Sequence, residues 1–134
     1  MKYRFWNLDK DYTILEEWCK ERNWESSIPK EMLPDKGKSG FIVEKNNIPI
    51  VSGFLYLTNS TGALLEWIVT NPEYREDDRK EAIELLINDT EMVCKNMGIT
   101  YIFSIGRSKH LMKTHEKLGW YVDKNPSYEI TKKL

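Results

Sequence analysis

The sequence predicts a mixed α/β fold, with a central mixed, mostly antiparallel sheet and helices on its faces. In the first half of the chain, short strand patterns are separated by tight turns, which is typical of antiparallel hairpins. In the second half, strand patterns alternate with two helical patterns, which indicates crossovers. This order predicts about six to seven strands and about three to four helices. The 134 residues are the length of one domain, which we place at residues 1–134.

The composition is that of a soluble, globular protein. Apolar residues make up 40% of the chain and charged residues 31%, and the net charge is −1. This balance gives no field that favours nucleic acid or a membrane, and the aromatic residues do not interleave with a basic stripe. Cys19 and Cys94 lie in helical patterns without CxxC or metal-ligand spacing. No apolar signal core or membrane-length run is present, so we expect a cytoplasmic protein with reduced cysteines.

The first two elements are a strand and a helix. Residues Tyr3 to Leu8 form a short aromatic run with side chains on alternating faces, which predicts a strand. Residues Tyr12 to Arg22 carry apolar residues near helical spacing, which predicts a helix. We expect Asp9 or Asp11 to cap its first turn.

A long connection follows from Asn23 to Gly40. Prolines and glycines interrupt it, which predicts a loop with one short helical turn around Lys30 to Leu33. At roughly 18 residues it exceeds a routine connection, so we expect it to serve a function or to pack as a flap.

The middle of the chain predicts three strands. Phe41 to Glu44 and Ile48 to Leu57 flank a short turn and form a hairpin. After a second turn, Ala63 to Val69 is almost entirely apolar. Such a run indicates a central strand that is covered on both faces. Pro72 ends the region.

A long amphipathic helix follows Pro72 and ends at Gly98. Its apolar positions are Ala82, Ile83, Leu86, Ile87, Met92 and Val93. Tyr101 to Ile105 is a short apolar run that predicts the next strand.

A second amphipathic helix and two strands complete the predicted fold. The helix runs from Ser108 to Lys117, with Ser108 as its cap. Trp120 to Val122 and Tyr128 to Thr131 are the last predicted strands.

Two local patterns resemble a known family. Residues Val69 to Arg75 (VTNPEYR), followed by Glu81 to Leu86 (EAIELL), are similar to a strand-end "V-x-P-x-Y-R" and an "x-A-L-x-x-L-L" helix. Residues Ser108 to Tyr121 resemble "N-x-x-A-x-x-x-Y-E-K-L-G-F". These are patterns of the GNAT superfamily of N-acetyltransferases, and the resemblance extends over the whole chain in element order. It implies acetyl-CoA as cosubstrate and an amine-bearing acceptor.

The resemblance places the CoA pyrophosphate at the start of the long helix. A helix start offers unpaired N–H groups and the positive end of the dipole, and the family adds glycines in "R/Q-x-x-G-x-G/A". The corresponding residues are Arg75, Glu76, Asp77, Asp78, Arg79 and Lys80. Asp78 and Lys80 occupy the small positions. A carboxylate about 4 Å from a phosphate charge costs about 1 kcal/mol in water and about 4 at an effective dielectric of 20. Arg79 and Lys80 can offset this cost.

The resemblance also implies roles on the preceding strand. Trp67, Ile68 and Val69 stand where the family binds the pantetheine arm and the thioester through backbone N–H groups. Glu66 is the charged residue of this strand, and we expect it to act as general base. The alternative is that Glu66 faces a groove and pairs with a cation.

The second helix carries two further candidates. His115 stands where many members have a tyrosine that protonates the leaving thiolate, and histidine can also donate a proton. The alternative is a histidine on the helix surface. Ser108 stands where the family often has an asparagine that contacts the pantetheine arm, or it acts only as a helix cap. His110 and His115 do not have zinc-ligand spacing, so we expect no metal site.

The sequence leaves two functions open. One is transfer of an acetyl group from acetyl-CoA to a primary amine of a small molecule or protein. The other is a catalytically degenerate relative that binds a partner or senses acyl-CoA. Trp24, in the long loop, is either part of the core or a wall of the acceptor pocket. Either protein would be a monomer or a homodimer.

Overall fold

The computed structural model describes residues 1–23 and 28–134, so Trp24 lies outside the described residues. Within these ranges the chain forms five strands, three α-helices and two short 3₁₀-helices. The strands are β1 (Lys2–Phe5), β2 (Gly40–Lys45), β3 (Ile48–Leu57), β4 (Gly62–Thr70) and β5 (Tyr101–Phe103). The α-helices are α1 (Leu8–Glu21), α2 (Arg79–Asn96) and α3 (Lys109–Lys117). The 3₁₀-helix Lys30–Met32 lies where the sequence predicts a helical turn, and a second 3₁₀-helix, Pro34–Gly37, follows it.

The strands form one mixed sheet in the order β1-β2-β3-β4-β5. Neighbours are antiparallel except β4 and β5, which are parallel and are joined through α2. The mostly antiparallel mixed sheet with helices on its faces confirms the predicted fold class.

Helices cover both faces of this sheet. Phe41 and Val43 belong to a cluster with Leu86 of α2, whereas Ile42 belongs to a cluster with Leu15 of α1. Since successive residues of a strand point to opposite faces, α1 and α2 lie on opposite sides of the sheet. Strand β4 contributes to both clusters, which confirms its prediction as a strand covered on both faces.

The two predicted C-terminal strands are wrong. Residues 120–122 and 128–131 have no strand structure, so the described sheet has five strands rather than six to seven. Tyr121, Tyr128 and Ile130 are each at least 90% exposed. An alternating pattern makes a strand only beside a neighbour, and β5 pairs over three residues.

The cap predicted for α1 is also wrong. The helix begins one turn earlier, and the Asn7 side chain accepts a hydrogen bond from the N–H of Asp9 at 3.2 Å. Asp11 is buried and accepts hydrogen bonds from Arg4 at 2.8 and 2.9 Å and from the N–H of Asn7 at 2.7 Å. Its carboxylate therefore ties β1 to α1 from within the helix.

A bulge interrupts the pairing of β3 with β4. Ser52 lies opposite Val69 and Phe54 lies opposite Glu66, so the single residue Gly53 faces both Trp67 and Ile68. Backbone pairing of β4 with β5 ends nearby, at the Leu64–Phe103 pair. Among residues 1–23 and 28–134, no strand pairs with the second half of β4 on that edge, and a cleft opens there.

Candidate active site

The cleft lies between the end of β4, the start of α2 and the start of α3, and has a volume of about 730 Å³. It brings together seven of the residues that the sequence predicts for the site: Ile68, Val69, Glu76, Asp77, Arg79, Lys80 and Ser108. The other predicted residues, Glu66, Trp67, Arg75, Asp78 and His115, do not line it. The cleft therefore places the start of α2 beside the part of β4 that β5 does not pair with.

The backbone bulge at Trp67 adjoins the cleft. The Trp67 φ of 54° lies in the left-handed region, where bulky residues are rarely found. Such strain costs on the order of 1–3 kcal/mol and is concentrated at functional sites. The Arg107 guanidinium lies 4.5 Å from the centre of the Trp67 ring, which helps to hold the ring. The bulge interrupts the regular pairing of β4 with β3 beside the cleft.

Glu66 of β4 contacts the segment that follows β5, beyond the last backbone pair of the two strands. The N–H of Ile105 donates to Glu66 Oε1 at 2.8 Å, and Arg107 Nη1 lies 3.5 Å from Glu66 Oε2. The cation pairing that the sequence leaves open is therefore present. Burial raises the pKa of Glu66, while the Ile105 N–H and Arg107 act in the opposite direction. A base role stays a prediction.

The Asp78 carboxylate is directed towards β2, away from the cleft, and accepts two hydrogen bonds. It accepts hydrogen bonds from Lys45 Nζ at 2.5 Å and from the Tyr74 hydroxyl at 2.8 Å. These two bonds hold the pKa of Asp78 below its usual range. Asp78 also makes no side-chain cap for α2. The predicted repulsion of a phosphate therefore concerns Glu76 and Asp77, which line the cleft.

Arg22 also lines the cleft, although the sequence pattern did not single it out. It donates to the Thr70 carbonyl oxygen at 2.8 Å and also to Thr70 Oγ1. Arg79 Nη2 donates to the same Oγ1 at 2.6 Å. Burial and the nearby charge of Arg79 lower the pKa of Arg22. A cation at a helix C-terminus is ordinary, so the pattern of α1 gives no sign of this contact.

Ser108 both caps α3 and lines the cleft. Its hydroxyl accepts a hydrogen bond from the N–H of Leu111 at 3.1 Å. The cap role is confirmed, and contact with a ligand stays a prediction.

His115 is buried and is not among the residues that line the cleft. It is 5% exposed, so the alternative of a helix-surface histidine is wrong. Its Nδ1 lies 2.8 Å from the Leu111 carbonyl oxygen, and its ring packs edge-on against Trp120 at 4.7 Å. Nε2 is buried and has no hydrogen-bond partner in the described structure. Burial lowers the pKa of His115.

Two kinds of feature are absent from residues 1–23 and 28–134. These residues contain no cluster of three or more histidine, cysteine or acidic side chains arranged to hold a metal ion. They also contain no helix with the length and apolar character needed to cross a membrane.

Comparison with known proteins gives matches to solved structures. A protein described as a probable acetyltransferase is 14% identical, with a TM-score of 0.72 over 99% of this chain and 100% of that chain. An aminoglycoside acetyltransferase from an uncultured soil metagenomic sample is 11% identical, with a TM-score of 0.71 over 98% and 96%. An acetyltransferase of Trypanosoma brucei is 14% identical, with a TM-score of 0.64 over 97% and 99%. No protein-family model and no curated protein matches the sequence.

At these identities the likeness concerns the fold. The chain therefore has the fold of these acetyltransferases, in agreement with the fold that the sequence resemblance implies.

Proposed function

We propose that the protein is an N-acetyltransferase that transfers the acetyl group of acetyl-CoA to a primary amine. The observation that carries this proposal is the cleft that opens where β4 and β5 stop pairing, with the Trp67 bulge beside it and the start of α2 at its end. The acceptor is an amine-bearing small molecule or protein, and the protein acts as a monomer or homodimer in the cytoplasm.

The residues of the cleft fit an acyl-CoA. The start of α2 has no side-chain cap, and although the Arg79 N–H is bonded to the Glu76 carbonyl oxygen, the positive end of the helix dipole favours an anion there. Arg79 and Lys80 line the cleft at that end and add positive charge. Ile68 and Val69 continue along β4, where backbone groups would hold the pantetheine arm. Acetyl-CoA supplies an activated thioester when bound.

Glu66 is the proposed general base. A primary amine has a pKa of about 10.4, so it must lose a proton before it can attack a thioester. A base works best with a pKa near the working pH, and burial moves the pKa of Glu66 in that direction. Glu66 does not line the cleft, so we expect a water molecule to carry the proton from the amine to its carboxylate.

The leaving thiolate needs a proton from a second group. We propose His115 as the donor in its imidazolium form, because Nδ1 donates to the Leu111 carbonyl and Nε2 carries a proton only in that form. Since His115 does not line the cleft, the proton must pass through a neighbouring group. The alternative donor is bulk water that enters the cleft. Turnover should fall when His115 is replaced if His115 is the donor, and should be unchanged if water is.

Binding and turnover of acetyl-CoA test the proposal directly. Titration by calorimetry should show binding, and a ligand at 100 times its dissociation constant should add about 2.7 kcal/mol to the free energy of unfolding. An amine panel should include aminoglycosides, because one structural neighbour is an aminoglycoside acetyltransferase. An unchanged melting temperature at millimolar acetyl-CoA would exclude the enzyme.

A second function is favoured by the contacts of Glu66. Its two oxygens already face the Ile105 N–H and Arg107, which suits a structural role. The fold would then bind acyl-CoA or a partner protein without turnover. Tight binding of acetyl-CoA, with no CoA release on any amine, would support this function over the enzyme.

A further inference from the structure

The end of β4 holds two arginines from different helices on one threonine. Arg22 is the residue after α1, and Arg79 begins α2. Both donate to Thr70 Oγ1, and Arg22 also donates to the Thr70 carbonyl. Two donors that share one acceptor oxygen lie close together. The contact therefore holds two guanidinium groups side by side at the mouth of the cleft.

Glu76 and Asp77 also line the cleft, but neither forms an ion pair with the two arginines. No carboxylate of residues 1–23 or 28–134 lies within ion-pair distance of Arg22 or Arg79. Arg22 Nε is buried and makes no hydrogen bond there. Thr70 is neutral, so it offers no charge to offset two cations. A bound anion would remove the repulsion and would give the remaining N–H groups an acceptor.

The position of the pair defines the kind of anion. Arg22, Thr70 and Arg79 all line the cleft, next to the uncapped start of α2. Guanidinium groups bind the oxygens of phosphate through forked pairs of hydrogen bonds. A group with several charged oxygens, such as a pyrophosphate, can contact both arginines and the helix N–H groups together.

We propose that Arg22 and Arg79 form an arginine clamp for a phosphate group, which is the pyrophosphate of the acyl-CoA. Side chains from α1 and α2 thereby take over a task for which a glycine-lined loop uses backbone N–H groups. This proposal rests on the proposed function for the source of the phosphate. The clamp itself rests on the contacts at Thr70.

Calorimetry with three probes tests the clamp. The probes are inorganic pyrophosphate, acetyl-CoA and S-acetylpantetheine, which lacks phosphate. For Arg22→Gln and Arg79→Gln we expect affinity for pyrophosphate and acetyl-CoA to fall at least about tenfold, the scale of one charge-assisted hydrogen bond. Affinity for S-acetylpantetheine should stay within about twofold. Lys20→Gln is the matched control, because Lys20 is an exposed cation of α1 outside the cleft, and it should change no affinity.

The outcomes separate the clamp from the proposed function. Equal acetyl-CoA affinity in wild type and both variants overturns the clamp and leaves the enzyme proposal intact. Arginine-dependent binding of pyrophosphate without binding of acetyl-CoA supports a phosphate clamp and overturns acyl-CoA as its source. If wild type binds neither, both proposals are overturned.

A second variant guards against a loss of folding. Arg22→Lys keeps the charge but loses the forked donor geometry. Its affinity for pyrophosphate should fall between those of wild type and Arg22→Gln, with an unchanged melting temperature in the absence of ligand. If Arg22→Lys bound pyrophosphate with wild-type affinity, charge alone would account for binding. The proposed forked contact of the arginine would then be overturned.

Discussion

A single carboxylate, that of Glu66, holds β4 and β5 together beyond the point where their backbones pair. It accepts the Ile105 N–H that a regular parallel ladder would bind through a carbonyl. Arg107 completes the arrangement, because it faces both Glu66 and the Trp67 ring. The residue that links β4 to the segment after β5 is therefore also the candidate base.

Replacing Glu66 by glutamine separates its structural contact with the Ile105 N–H from its proposed role as general base. Glutamine retains an oxygen for the Ile105 N–H but cannot take a proton, so we expect folding and acetyl-CoA affinity to persist. Turnover should fall by about 10²-fold or more, the usual contribution of a general base. The activity of wild type should rise with pH through a pKa above the ordinary carboxyl value, because burial raises the pKa of Glu66. Unchanged turnover, or an unchanged pH profile, would contradict the base role.

His115 makes a prediction about stability and pH. Burial lowers its pKa in the folded protein, so the unfolded chain takes up the proton first as the pH falls. The free energy of unfolding should therefore decline as the pH drops below about 6.5, the ordinary histidine pKa, and the decline should end below the folded pKa. Glu91 of α2 bonds the adjacent Trp120 at 2.6 Å and partly offsets the shift.

Chemical unfolding at a series of pH values checks this. In His115→Phe the decline should be smaller than in wild type. His110→Phe serves as control, because His110 is exposed on the same helix and should leave the decline unchanged. Equal slopes in wild type and His115→Phe would contradict it. Turnover of His115→Phe on the same samples tests the proposed proton donor.

The start of α2 combines two adjacent acids with different tasks. Asp77 lines the cleft, whereas Asp78 is bound to Lys45 and Tyr74 and ties α2 to β2. A bound phosphate should therefore respond to one of these charges and not to the other.

Matched amide variants test that difference. Asp77→Asn removes a charge that faces the ligand and should tighten acetyl-CoA binding by about fivefold, or about 1 kcal/mol for a solvated pair. Asp78→Asn should lower the melting temperature, because Lys45 loses its charged partner, and should leave acetyl-CoA affinity within about twofold. If Asp77→Asn and Asp78→Asn tightened acetyl-CoA binding to the same degree, net charge alone would explain the effect. The different roles assigned to the two aspartates would then be contradicted.

The elements that the sequence predicts best are the strands whose apolar pattern follows directly from burial in the core. The bounds of β3 coincide with the predicted Ile48 to Leu57, and β2 and β4 each differ by one residue at either end. The Trp67 bulge could not be predicted in this way, because the alternating strand pattern gives no sign of an inserted residue.

The clamp residues escape prediction for a different reason. Arg22 and Thr70 are 48 positions apart and meet only once α1 packs on the sheet. Glu66 was visible because a charge stands out in an apolar run, but its partner Arg107 lies in a connection with no periodic pattern. Local sequence therefore identifies individual candidates, while the contacts that assign their tasks depend on the complete fold.

The molecule as a whole divides into a packed body and a loosely attached end. Helices α1 and α2 bury the two faces of the sheet, and the largest buried side chains, such as Phe54 and Leu86, lie there. After α3 and Trp120 the chain is mostly exposed. Tyr128 and Ile130, at 91% and 92% exposure, contribute almost no burial to the described structure.

Deleting residues 126–134 tests whether this end matters to the folded chain. The deletion removes the ion pair between Arg107 and Glu129 at 3.2 Å, and an exposed pair of this kind contributes about 0–1 kcal/mol. We therefore expect the free energy of unfolding to fall by no more than about 1 kcal/mol. A larger loss, together with a change in mass by analytical ultracentrifugation, would show that the segment packs in a homodimer and would decide between the two predicted assembly states. An unchanged stability at every protein concentration would instead identify a monomer whose body, from β1 to α3, folds without its last residues.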